Sequence, residues 1–334
     1  MAVVPRNDLT KRTTFQKSVA ILKPIPSKIE PRFLYYLLQG ELERLVAFAG
    51  GTAQKNLLLR DLRAFTVEVP SRAVQNGIVS VLSAYDDLIE NNARRIRILE
   101  EMAQMIYREW FVNFRFPGHE KVKMVESVMG TVPRDWRVSK VTESVDCDPS
   151  TKVPKERLKP FVPMGSVSGG SMLISDIEER EGNSGSKFRN GDTLFARITP
   201  CLENGKTGFV QFLPTADAVA FGSTEFIVLR SRTVCPEYVY LMARSDEFRD
   251  NAIKSMSGAT GRQRVQPACF EKFLIAQPPR DVLERFHELA NPIFRLIHNL
   301  SLRNANLCTT RDFLLPKLIS GEVSVENLKA AAIA

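Results

Sequence analysis

One property of this 334-residue sequence limits its fold more than any other: it repeats itself. Displacing the chain by 208 residues lays Thr52 on Thr260, Pro70 on Pro278, Leu88 on Leu296, Ile89 on Ile297, Asn91 on Asn299, Arg95 on Arg303 and Leu99 on Leu307. Upstream the match continues with small offsets. Val19-Ala-Ile-Leu-Lys23 parallels Phe226-Ile-Val-Leu-Arg230, and Phe33-Leu-Tyr-Tyr-Leu-Leu38 parallels Tyr238-Val-Tyr-Leu-Met-Ala243, each pair reading as a strand followed by a helix. A chain that repeats has to build one unit twice, so the fold question becomes a question about that unit. The second copy opens near Val132-Pro-Arg-Asp-Trp136. Nothing ahead of about Phe15 matches residues 132 to 220, so the first copy is expected to lack its front half.

Each copy ends in a helix. Tyr85, Ile89, Asn92, Ile96, Leu99, Ala103, Ile106 and Trp110 alternate spacings of four and three, the pattern of a coiled-coil seam. The same displacement gives Ile293, Ile297, Leu300, Asn304, Leu307, Arg311, Leu314 and Leu318. Seams of this length are marginal alone. The two helices are therefore expected to pair with each other, antiparallel, with the globular parts at opposite ends. Asn92 and Asn304 fall on the seam, where a polar residue commonly fixes register.

With 44% hydrophobic and 25% charged residues, the chain has material for two domains of ordinary size. No stretch reaches 18 apolar residues and the N-terminus has no apolar core segment, which predicts a cytoplasmic protein without membrane partners. The five cysteines are odd in number and never in a C-x-x-C pair, against both a disulfide framework and a zinc site. A net charge of +8 and a pI near 9.3 favour a polyanionic partner.

Between about Pro133 and Pro279 the pattern mixes short β-rich runs, such as Phe161-Val-Pro-Met164 and Thr193-Leu-Phe-Ala-Arg197, with helical segments near 236 to 254 and 281 to 290. Ser168-Gly169-Gly170 and the polar stretch 178 to 186 read as surface loops. The expected fold class is α+β, with domains joined by two long antiparallel coiled-coil helices. The expected divisions are residues 1–75 (a shortened first domain), 76–116 (first helix), 117–285 (a complete second domain) and 286–334 (second helix).

Several motifs stand in a fixed order: Phe33 to Leu38, Gly51-Thr-Ala-Gln-Lys-Asn56, Pro133-x-x-Trp136, Gly191-Asp-Thr-Leu-Phe195, Ser257-Gly-Ala-Thr-Gly261 and Leu314-Leu-Pro-Lys-Leu-Ile-Ser-Gly-Glu322. In that order they resemble the specificity subunit of Type I restriction-modification systems, in which two target-recognition domains alternate with two long helices. The resemblance covers nearly the whole chain. It implies a subunit that performs no chemistry, reads a split sequence in double-stranded DNA, and carries adenine-methyltransferase and restriction subunits. It implies no cofactor of its own, the methyltransferase partner using S-adenosylmethionine. The missing front half departs from the family pattern and puts bipartite reading in doubt. Two chains that associate, each supplying one complete domain, would turn a split target into a palindrome. The alternative is a shortened scaffold that binds methyltransferase subunits without directing methylation.

Phosphate contacts position a protein on DNA, whereas base-edge contacts specify. Two loops carry suitable groups. In residues 197 to 207, Arg197 and Lys206 suit phosphate or guanine, Asn204 suits adenine, and Thr199 adds a hydroxyl. In residues 257 to 264, Thr260, Arg262, Gln263 and Arg264 stand on a glycine-rich turn whose counterpart in the first copy is Gln54-Lys55-Asn56. Lys187, Arg189 and Asn190 precede the Gly191-Asp192 turn, where they read first as a solvent-facing charge cluster and second as added phosphate donors. Trp110 and Trp136 are expected in the core.

Catalytic readings fail on spacing. Gly205-Lys206-Thr207 is no phosphate-binding loop, because Pro200 stands where the pattern requires glycine. Asn291-Pro-Ile-Phe294 resembles an adenine-methyltransferase motif but lies within the repeated helix. His119, His287 and His298 show no metal-ligand spacing.

Overall fold

The computed structural model describes residues 22–48, 57–259, 261 and 263–326. Its helices are α1 (Pro31–Gly40), α2 (Leu42–Phe48), α3 (Leu59–Ala64), α4 (Arg72–Tyr107), α5 (Pro236–Arg244), α6 (Asp246–Lys254) and α7 (Arg280–Ile319). Its first six strands are β1 (Met124–Ser127), β2 (Gly130–Pro133), β3 (Arg137–Lys140), β4 (Val145–Cys147), β5 (Lys159–Val162) and β6 (Glu178–Arg180). The remainder are β7 (Ser186–Arg189), β8 (Thr193–Ala196), β9 (Thr207–Phe209), β10 (Val219–Gly222), β11 (Phe226–Ser231) and β12 (Leu274–Gln277). The chain divides into two compact units, residues 1–90 with 305–334, and residues 91–304.

The first unit is helical throughout its described residues, apart from irregular segments. Pro31 opens α1 with its φ already set, and the Glu30 carboxylate accepts from the Phe33 N–H at 2.6 Å, capping the helix. Phe33, Tyr36 and Leu37, at helical spacing, bury one face against Ile78 and Leu82 of α4 and Leu315 and Leu318 of α7. Gln75, 1% exposed, accepts from the Glu30 N–H (2.8 Å) and donates to the Pro70 carbonyl (2.9 Å), tying the start of α1 to the start of α4. Asp86 accepts from the Tyr36 hydroxyl at 2.5 Å and from Arg311 at 2.8 Å, so one carboxylate links α1, α4 and α7.

The second unit is α+β. Two four-stranded sheets, in the orders β6-β5-β10-β7 and β4-β11-β8-β9, are joined by two ribbons, β1-β2 and β12-β3. Pairing is antiparallel except between β10 and β5. Helix α5 packs on β8, β9 and β11, and its core continues through Phe195, Phe248 and Phe270 to Tyr107, Trp110 and Phe111 at the end of α4 and Phe286, Phe294 and Ile297 of α7. Trp136 packs among Phe111, Phe114 and Phe116, so both tryptophans are core residues.

Within each unit α4 and α7 pair antiparallel. Asp86 meets Arg311 in the first, and in the second Asn92 meets Asn304 while Trp110 meets Phe286, ring centroids 5.8 Å apart. Of the seam residues, Asn92, Ile96, Ile297 and Leu300 are buried, and Ile89, Leu99, Ile106, Asn304, Leu307 and Leu314 are half-buried. The Asn92 amide donates to the Asn304 side-chain carbonyl at 2.9 Å.

Three local expectations are corrected. The long helices open at Arg72 and Arg280, ahead of residues 76 and 286, because Pro70 and Pro278-Pro279 end the extended chain and favour a helix start just beyond. Residues 281 to 290 are therefore the first turns of α7 rather than a separate helix. The polar stretch 178 to 186 holds an edge strand, β6, which pairs through its backbone with β5 and shows no apolar alternation because all three residues are exposed. The strand expected at Val19 to Lys23 lies, but for Leu22 and Lys23, outside the described residues; those two are irregular.

Candidate nucleic-acid interface

Strand β8 ends at Ala196 and delivers Arg197 to the rim of the sheet β4-β11-β8-β9. The chain beyond it runs beside the loop 257 to 265. Thr199 N–H donates to the Gln263 carbonyl (3.1 Å), Gln263 N–H donates to Thr199 Oγ1 (3.1 Å), and Val265 N–H donates to the Arg197 carbonyl (2.8 Å). Ser257 and Arg264 exchange both backbone hydrogen bonds at 3.1 and 2.9 Å, closing the second loop into a hairpin. Two loops chosen separately from sequence thus form one continuous surface, holding Arg197, Thr199, Gln263 and Arg264.

A cavity of about 420 Å³ opens beside this surface, lined by Lys187 and Arg197 together with Asp148, Ser150, Ser186 and Thr224. Arg197 donates from Nη2 to the Val265 carbonyl at 3.1 Å, while its buried Nε has no hydrogen bond among the described residues. Asp148 accepts from the Val228 N–H at 2.8 Å. Burial pushes its carboxyl up from the ordinary range, against the opposing pull of that N–H and of Arg197. A guanidinium, an ammonium and several hydroxyls at one mouth suit a phosphate oxygen.

Arg264 is not free to meet a partner. Its Nε and Nη2 hold both oxygens of Glu225, the shortest contact being 2.6 Å, and this fork keeps the Glu225 carboxyl below its usual range. Sequence reasoning missed Glu225, Asp148 and Thr224. Glu225 lies 39 positions from Arg264, and Asp148 and Thr224 come from segments remote from the two loops, so no local pattern marks them.

The other predicted residues separate from this surface. Asn204 is exposed on the turn at Gly205, where the φ of +71° favours glycine. Gly169 lies so close that a Cβ there would stand 1.8 Å from the Asn204 carbonyl. Lys206 donates to the Met164 carbonyl at 3.0 Å, a structural contact. Arg189 is exposed. Asp192 of the Gly191 motif is 1% exposed and forms an ion pair with Arg230 at 2.6 Å, so that motif holds the sheet together rather than offering a ligand. Gln54, Lys55, Asn56, Thr260 and Arg262 lie outside the described residues.

One grouping of metal-ligand type does assemble despite the sequence spacing: Cys235, Glu237 and His287 bring ligand atoms within 4.8 Å of one another. Hydrogen bonding accounts for it. The buried Glu237 carboxylate faces His287 Nδ1 at 2.9 Å and accepts from Asn291 at 2.8 Å, tying the first turn of α5 to α7, and burial pushes the Cys235 thiol up to about 12.

A sheet-built domain closed by two long paired helices, with Arg197, Gln263 and Arg264 gathered on its loops, defines a class of architecture: an α+β domain mounted on helices. The particular likeness is to the Type I specificity subunits. A family model described as the Type I restriction modification DNA specificity domain matches residues 7–101. The specificity subunit of the Type I restriction enzyme MjaIX of Methanocaldococcus jannaschii is 25% identical over 338 residues, covering 97% of this chain and 75% of that one. That of the Haemophilus influenzae enzyme HindI is 21% identical, covering 95% and 82%. Among solved structures, the Type I restriction-modification S subunit of M. genitalium has a TM-score of 0.51 at 16% identity, covering 88% of this chain and 74% of that one, a likeness of fold. The resemblance to Type I specificity subunits therefore extends along nearly the whole chain.

Proposed function

We propose that this chain is the non-catalytic DNA-recognition subunit of a Type I restriction-modification complex. Its residues 117 to 285 read one half-site of double-stranded DNA, and its long helices dock methyltransferase and, through the complex, restriction subunits. The methyltransferase partner supplies the S-adenosylmethionine chemistry. The observation that carries the reading is the merger of the loops at 197 to 199 and 263 to 265 into one surface beside the cavity of Lys187 and Arg197. Two such chains associate in the assembled complex, each presenting the reading domain of residues 117 to 285. A single copy per complex by mass measurement with the methyltransferase subunit present contradicts that arrangement.

The test is DNA binding by the isolated full chain across a salt series. Counterion release predicts weak affinity that falls steeply between low and moderate salt, with a log–log slope of about −0.9 per phosphate contacted. Binding that does not change over that range contradicts phosphate contact.

A further inference from the structure

Resting on that DNA reading, we infer that Glu225 is a specificity-determining residue: an internal stand-in for phosphate that holds Arg264 away from DNA until a matched sequence displaces it. A guanidinium on an exposed loop binds any phosphate, and every such contact adds to affinity for every sequence alike. Arg264 stands on the merged loop surface, half exposed, yet its planar fork is already filled by a carboxylate in the bidentate geometry that a phosphate would take.

The backbone fixes both partners. Glu225 accepts from the Arg197 N–H through its carbonyl at 2.9 Å, Thr224 beside it lines the Lys187 and Arg197 cavity, and Arg264 is held by its bonds to Ser257. Glu225 thus faces the charges of both Arg264 and Arg197 and lowers the positive potential around them. Its side chain is only 20% exposed, which places it behind the arginine rather than beside a base edge. DNA that binds through phosphate alone has to break this pair without compensation. A sequence that adds base contacts nearby offsets the loss. Glu225 therefore weakens indiscriminate binding more than specific binding.

The experiment is equilibrium binding of the full chain to a random-sequence duplex over a salt series, comparing wild type, Glu225→Gln, Arg264→Ala and the double variant. An exposed ion pair is modest, so Glu225→Gln is expected to tighten binding roughly three- to tenfold at low salt and to steepen the salt slope by about one phosphate contact. In the double variant that gain disappears, because the arginine that Glu225 restrains is gone. A thermal melt of each variant identifies any that fails to fold, and Glu225→Asp, which keeps the charge, is expected to restore weak binding. If wild type binds but Glu225→Gln binds no better, or the gain survives loss of Arg264, the proposal is overturned and the DNA reading stands. If no variant binds DNA at low salt, the reading itself fails and the proposal with it.

Discussion

The two repeats start from matching sequence and arrive at different structures, and the difference shows what a partner strand contributes. Helices α1 and α5 are counterparts. Yet α5 buries seven of its nine residues, from Glu237 to Ala243, while α1 buries three of ten. The reason is the sheet of β8, β9 and β11, which covers the second face of α5. Further on, Leu274–Gln277 form β12 because β3 lies alongside, whereas the matching residues Thr66 to Val69 are irregular, and no strand stands beside them among the described residues. A segment of that length is extended by preference but becomes a strand only when its N–H and C=O groups find a ladder. The two long helices, by contrast, satisfy their own backbones and open 208 residues apart, at Arg72 and Arg280.

The sharpest way to break this comparison is to remove a core ring from each unit. Phe226, 1% exposed and packed among Val162, Phe188, Leu194 and Ala220 of the strands, and Phe33, fully buried against α4 and α7, are each expected to cost about 3–5 kcal/mol on truncation to Ala. Hydrogen exchange should place the loss from Phe226→Ala in residues 91–304 and that from Phe33→Ala in the first unit. Equal loss everywhere from either variant means that the units are a single cooperative body. Next in size is Arg230→Ala, which strands the buried Asp192 carboxylate at a cost of about 3 kcal/mol and affects only the second unit, as denaturant melts should show.

Gln75→Ala should cost about 1–2 kcal/mol in the first unit alone. Its counterpart by the repeat is Leu283, so this polar clasp belongs to the unit with the smaller core. Asn92→Leu should cost about 1 kcal/mol by leaving Asn304 facing an apolar neighbour, and the pair of Leu substitutions should recover that loss.

The smallest effect is at alkaline pH. Tyr36 in the first unit and Tyr107, Tyr238 and Tyr240 in the second have hydroxyls pushed up chiefly by burial. A raised pKa means that the unfolded chain releases its proton first. Stability is therefore intact below the ordinary tyrosine value of about 10 and declines above it, more steeply in the second unit. Melts between neutral pH and pH 11 would show this, and a flat profile would contradict it.

How much of this was legible in the sequence follows from range. Helix periodicity is local, so the spacing of Ile89, Asn92, Ile96 and Leu99 marks one face without knowledge of anything else. Pairing of β12 with β3 joins residues more than a hundred positions apart, and edge strand β6, made of charged residues, carries no alternation at all. The candidate site divides in the same way. Glycine-rich loops pointed to Arg197, Gln263 and Arg264, but that the loops pair, that Glu225 occupies Arg264, and that Lys206 and Asp192 have structural work are facts of tertiary contact.

The most direct test of the account is long-read mapping of N6-methyladenine in cells that express a Type I methyltransferase subunit with this chain, without it, and with an Arg197→Ala, Lys187→Ala version. The account predicts a new methylated motif only with the intact chain, its symmetry reporting whether one or two reading domains act, and its loss in the double variant. No new motif while the chain still binds the methyltransferase subunit would contradict it, leaving a scaffold that directs nothing.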